Sequence, residues 1–111
     1  MTPHVRNFRD TIRARAHRDP EFRFGLFREA LEALLNDDLE TGKILLRAYI
    51  NATIGFDTLA VELDKHPKSL MRMLSDKGNP RADNLLGMVG YLKKRENAAL
   101  NVTRAMEPLR T

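Results

Sequence analysis

A chain of 111 residues has room for one domain with a real core and is too short for two of ordinary size. Its 42% hydrophobic content, five prolines and six glycines exclude a low-complexity chain, and the absence of cysteine excludes disulfides and thiol chemistry, in agreement with a reducing cytoplasm. The net charge of +4 is distributed in blocks: residues 1–18 carry five arginines against one aspartate, residues 19–64 carry four basic against ten acidic side chains, and residues 65–111 carry ten basic against four acidic.

Apolar residues recur at three- and four-residue intervals, and no segment keeps the alternation of a half-buried strand, which predicts an all-α chain. The first helix covers about residues 5–17, with Val5, Phe8, Ile12 and Ala16 on one face. Asp19-Pro20 restarts the chain, because Asp is a good N-cap and Pro suits the first helical position. The second helix runs to about residue 35 through Phe22, Leu26, Phe27, Ala30, Leu31, Leu34 and Leu35. Asn36-Asp37 ends it and caps the third, about residues 38–52, with Leu39, Ile44, Leu45, Ala48 and Tyr49 as its apolar set. Thr53-Ile54-Gly55 is a break with capping character. A fourth helix follows at 56–64, a fifth at 67–75, and Gly78 with Pro80 makes a firm stop. The last helix starts near 81–83 and continues to about 95. Residues 96–111 keep helical propensity with a diluted apolar pattern and read as a tail, either helical or ordered by a partner. No apolar run approaches the roughly 20 residues of a membrane span. The N-terminal arginines have no apolar stretch behind them, so the start does not read as a signal peptide.

Residues 56–75 carry the most information. Two short helices joined by about three residues have helix-turn-helix spacing. Leu59, Leu63, Leu70 and Met73 weld the two helices, and Ala60 sits at their closest approach. His66-Pro67 starts the second, where the missing proline N–H costs nothing. Lys68, Ser69 and Arg72 then point outward, and in this motif the start of the second helix faces base edges in the major groove. Arginine can fork onto guanine, while lysine and serine serve bases or phosphates. A basic surface of this kind is the electrostatic footprint of a polyanion.

The stretch LAVELDKHPKSLMRMLSDKGNP resembles the LAxxLGxSPKSLMRMLSxxGNP segment of the phage-repressor-like antitoxins, the addiction-module antidote proteins related to the HigA kind. The upstream DPEFRFGLFREALEALLNDDLETGKILLRAYINATIGFDTLA is similar to that family's opening, so the resemblance covers about residues 8–92. It implies an all-α, five- to six-helix, lambda-repressor-like helix-turn-helix domain with an N-terminal helical hairpin. It also implies a cytoplasmic DNA-binding antitoxin that represses its own operon and neutralises a ribonuclease-like toxin of the RelE/ParE superfamily. Its recognition-helix positions fall on Lys68, Ser69 and Arg72, and the loop after it, with Lys77, Asn79 and Arg81, lies close to the DNA backbone. The sequence departs from the pattern in three places: Asp64 replaces the usual turn glycine, Lys65 replaces an often apolar residue, and Phe56 replaces an often phosphate-contacting glutamine.

The expected organisation is an N-terminal helical part at 1–37 as a candidate toxin-binding surface, a DNA-binding part at 38–95 and a tail at 96–111. A homodimer on near-palindromic double-stranded operator DNA is expected, because one helix offers too few contacts. Plainer readings stand beside these. Lys68 and Arg72 also suit solvated positions on an amphipathic helix, Ser69 also suits a helix cap, and Gly78, Asn79 and Pro80 are accounted for as a helix stop. Met71, Met73 and Met88 read as core packing or gap filling. The Arg6, Arg9, Arg13, Arg15 and Arg18 group suits a DNA-backbone arm, a partner surface or solvent alike. The acidic block of residues 19–64 suits a basic partner, as a toxin that binds RNA should be. His4, His17 and His66 share no ligand spacing. The 37–40 stretch fails a calcium-loop pattern because Leu39 occupies a ligand position, and reads instead as helix capping. No catalytic set and no glycine-rich phosphate loop is present, so no enzyme and no cofactor is implied. The rival functions are a stand-alone phage-type repressor without a toxin and an interaction module that has lost DNA binding.

Overall fold

A computed structural model describes residues 4–105 of the chain, with side chains from residue 10 onwards. These residues form six helices and no strand: α1 (His4–Arg18), α2 (Pro20–Leu35), α3 (Leu39–Ala52), α4 (Phe56–Leu63), α5 (Pro67–Met73) and α6 (Ala82–Arg95). The starts follow local chemistry. The Asp19 carboxylate accepts the Phe22 N–H at 3.1 Å, with Pro20 next to it, so α2 begins there. That backbone hydrogen bond, with Arg15 nearby, holds the Asp19 carboxyl below the usual aspartate range. The cap of α3 is Asp38, which accepts the Thr41 N–H at 3.1 Å. Asn36-Asp37 was expected to cap it; Asn36 instead closes α2, and Asp37 takes a left-handed turn at φ 64°. Gly55, at φ 82°, lets the chain turn through 99° between α3 and α4.

One core runs through α2 to α6. Phe27, Leu46, Ile50, Leu59, Leu70, Leu74, Met88 and Leu92 are its large, fully buried side chains. The Phe27 and Tyr49 rings pack tilted with centroids 5.1 Å apart, in the most extensive helix contact, α2 on α3. Phe27, Ala30 and Leu31 belong to the same cluster as the helix-turn-helix, so the core passes residue 37 without a break.

Several side chains fall on the other side of the surface from the sequence pattern. Leu35 and Ile44 are 71% and 53% exposed, whereas Leu46 and Ile50 are buried. Met71, expected in the core, is 43% exposed; Met73 is half-buried and Met88 fully buried. On the expected inner face of α1, Ala16 is buried and Ile12 half-buried, while the side chains of Val5 and Phe8 lie outside the described residues.

The ends of the helices are tied by charged side chains. The Arg13 guanidinium donates to the Asn51 carbonyl at 2.6 and 3.2 Å, fixing α1 on the last turn of α3. Glu96, nearly buried just past α6, accepts from Arg23 Nε at 3.1 Å and from the Tyr49 hydroxyl. Arg23 also donates to the Ala16 carbonyl at 3.2 Å. One carboxylate therefore joins α2, α3 and the end of α6, and through Arg23 also α1. Burial, reinforced by the hydrogen bond to Glu96 and its charge, pushes the Tyr49 phenol well above its ordinary value. Beyond Asn97, residues 99–105 are neither helix nor strand, and residues 106–111 of the expected tail lie outside the described part.

Candidate nucleic-acid interface

α4, a three-residue turn and α5 form the expected helix-turn-helix. Asp64 ends α4 in the left-handed conformation at φ 56°, ψ 50°, where its N–H closes onto Ala60 and Val61 and the Lys65 N–H bonds Ala60 O at 2.9 Å. The position therefore demands what glycine gives freely, and aspartate takes it at a modest cost. Leu59, Ala60, Leu70 and Leu74 are buried between the helices and the core, with Leu63 and Met73 half-buried beside them. Phe56 is 6% exposed and belongs to the core, so this residue makes no phosphate contact.

The buried seam turns the opposite face of α5 to solvent. Lys68 and Arg72 are exposed one helical turn apart, and Ser69 between them is half-buried. The Ser69 hydroxyl makes no hydrogen bond among the described residues, and His66 provides no side-chain cap, so the capping alternative for Ser69 has no bond to support it. In the loop, Lys77 and Asn79 are exposed. Arg81 is exposed too, but its guanidinium pairs with Asp83 at 3.1 Å, which makes its charge less available than that of Lys68 or Arg72. Lys65 is exposed in the turn.

The sequence reading passed over the residues that hold this unit in place. Lys43 of α3 is 4% exposed, and its ammonium donates to the carbonyls of Ser75, Asp76 and Gly78 at 2.9, 3.2 and 2.7 Å. All three ammonium donors are thus satisfied. One turn on, Arg47 donates to the Leu74 carbonyl. Two cations of α3 therefore neutralise the carbonyl end of α5 and the loop behind it. Gly78 lets that loop fold back: a Cβ there would stand 2.1 Å from the Arg72 carbonyl and 2.6 Å from that of Met73. The available signal for Lys43 was a lysine inside an otherwise apolar helix stretch, one turn from an arginine.

The N-terminal arginines divide. Arg13 is committed to Asn51, and Arg15 pairs with Asp19 at 3.5 Å while lying over the Phe22 ring. Arg18 is exposed, and the side chains of Arg6 and Arg9 are outside the described residues. Among the described residues no three His, Asp or Glu side chains cluster as metal ligands, and no single helix is long and apolar enough to cross a membrane. The chain matches no protein-family model, no curated protein and no solved structure. Its function is therefore read from the residues and their arrangement.

Proposed function

We propose that the protein is a DNA-binding regulator that places α5 in the major groove of operator DNA, acting as a homodimer. The observation that carries this reading is the pose of α5: Leu70 and Leu74 are fully buried, α3 clamps the segment behind it, and Lys68 and Arg72 are left exposed on one face. A rigidly seated short helix with outward cations suits base-edge recognition, where a loose one would lose register. Arg72 is the base-reading candidate, Lys68 and Ser69 reach bases or phosphates, and Lys77, Asn79 and Arg81 flank the backbone.

Within this reading the protein is the antitoxin of a type II toxin–antitoxin module, repressing its own operon and covering a RelE/ParE-superfamily toxin. The resemblance of the α4–α5 segment supports that assignment, and so does charge. Of the four basic residues in 19–64, Arg23, Lys43 and Arg47 are taken up by internal contacts. The exposed Glu29, Glu32, Asp37, Asp38 and Glu40 then set the sign of that surface, which suits a basic partner.

The test is affinity for the DNA upstream of the gene, read at two salt concentrations. Arg72→Ala is expected to weaken binding about 10- to 100-fold and relax specificity, and Lys68→Ala to weaken it more evenly across sequences. Unchanged binding in both variants sinks the recognition face. Co-expression with the product of the adjacent reading frame separates an antitoxin, which rescues growth and co-purifies, from a stand-alone repressor, which does neither.

A further inference from the structure

The residues of α5 sort into two faces. Leu70 and, just past the helix end, Leu74 are fully buried, and Pro67, Ser69 and Met73 are half-buried. Only Lys68, Met71 and Arg72 are exposed. Their i, i+3, i+4 spacing puts them within about 100° of one another around the helix, on the side away from Leu70 and Leu74. Ser75 stands one turn further on, but its hydroxyl donates to the Arg72 carbonyl at 2.7 Å. The third outward member of α5 is therefore Met71, at 43% exposure, more open than the half-buried Ser69.

The neighbours of Met71 make its exposure informative. Lys68 and Arg72 are like charges one helical turn apart, an arrangement that repels. Neither side chain forms an ion pair or a hydrogen bond among the described residues. Two cations without a local partner, beside an apolar side chain, complement a surface that is anionic and acceptor-rich and also carries an apolar group. The major groove of DNA is such a surface: guanine presents its O6 and N7 acceptors, phosphates line the edges, and the C5-methyl of thymine is the groove's apolar group. A helix about 10–12 Å across fills a groove about 12 Å wide.

We propose that Met71 is a specificity-determining residue: its thioether end packs on the C5-methyl of a thymine one or two base pairs from the guanine that Arg72 reads. The inference rests on the DNA-binding reading above and adds a base to it. Spacing sets the distance. Consecutive Cα atoms lie about 3.8 Å apart, close to the rise of about 3.4 Å between base pairs, so adjacent residues of a seated helix meet nearby steps. Methionine is unbranched and flexible, which lets it settle on a methyl group. Cytosine in the same place presents an amine donor and no methyl, and a thioether accepts that hydrogen bond only weakly. One buried methyl corresponds to about a fourfold change in affinity, which is the expected size of the preference per thymine.

Selection of a random-sequence duplex library by the full chain supplies the probe. Each thymine of the selected site is then replaced in turn by deoxyuridine, which removes the methyl and keeps the pairing, and affinity is read by fluorescence anisotropy. The parent is expected to lose about fourfold at one thymine, within two base pairs of the position where Arg72→Ala loses its base preference. Met71→Ala should bind the thymine and deoxyuridine duplexes equally, with unchanged helical circular dichroism, and Met71→Leu should restore the preference. A packing role alone would weaken both duplexes alike and leave their ratio as in the parent. A site with no methyl-sensitive thymine, a sensitive thymine outside that window, or a preference that survives in Met71→Ala each overturns the contact. Failure of the DNA-binding reading looks different: no sequence is enriched over the starting library, Arg72→Ala and the parent bind random duplex alike, and the thymine contact falls with it.

Discussion

Lys43 lies 4% exposed on α3 with three carbonyl acceptors from the segment behind α5. Replacing it by methionine keeps the stem but takes the side-chain donor from the Asp76 and Gly78 carbonyls and leaves the Ser75 carbonyl with the Gly78 N–H alone, the costly way to lose a hydrogen bond. Lys43→Met is expected to lose about 2–3 kcal/mol of stability, seen as a lower urea midpoint at unchanged m-value. This role was hidden from the sequence because its partners lie 32, 33 and 35 residues further on. Periodicity favoured Ile44 as the inward residue, and the fold turned Ile44 out so that Lys43 could reach the loop. Tyr49 yields a second expectation. Its hydroxyl donates to the nearly buried Glu96, and burial pushes its pKa up, so the folded state holds the phenol proton more tightly than the unfolded state. The stability this contributes is complete below the ordinary tyrosine value near 10 and is lost as pH rises above it. The parent's denaturation midpoint should therefore fall more steeply above about pH 10 than that of Tyr49→Phe, which carries no such proton.

At the scale of elements, the α4–α5 turn depends on Asp64 at φ 56°. Glycine takes this conformation without the Cβ penalty, and it also removes a negative charge from the carbonyl end of α4. Asp64→Gly is expected to raise stability by about 0.5–1 kcal/mol, after the larger chain entropy of unfolded glycine is deducted, as a thermal melt would show. The six helices were legible because their punctuation is local: Asp19-Pro20, the break at 53–55, His66-Pro67 and Gly78 each act within a few residues. Their buried faces were less so. α3 is covered on several sides, so Leu46 and Ile50 joined the core while Leu39 and Ile44 did not. Met71 points to solvent because a seven-residue helix offers one narrow seam, already filled by Leu70 and Leu74. The outward set of Lys68 and Arg72 was readable because that seam fixes its opposite face. The Arg81–Asp83 pair, the Arg13 clasp and the Glu96 hub were not, since each depends on a side chain's reach in three dimensions.

For the whole molecule, the radius of gyration is 15.2 Å, above the roughly 13 Å of a compact domain of this length. The monomer thus leaves more surface than a compact fold requires, including Leu35, Leu100 and Val102 along the α2 groove. In the proposed two-fold operator complex, DNA binding and dimerisation are linked through a countable quantity. Each neutralised phosphate contributes about 0.9 to the slope of log affinity against log salt, so a two-fold complex has about twice the slope of a single copy. Lys68→Ala is present in both copies, so each phosphate contact it removes should lower the slope by about two in a two-fold complex and by about one in a single-copy complex. A fall of about one for a single phosphate contact would mean that one copy makes the contacts alone, and the two-fold operator complex would have to be abandoned.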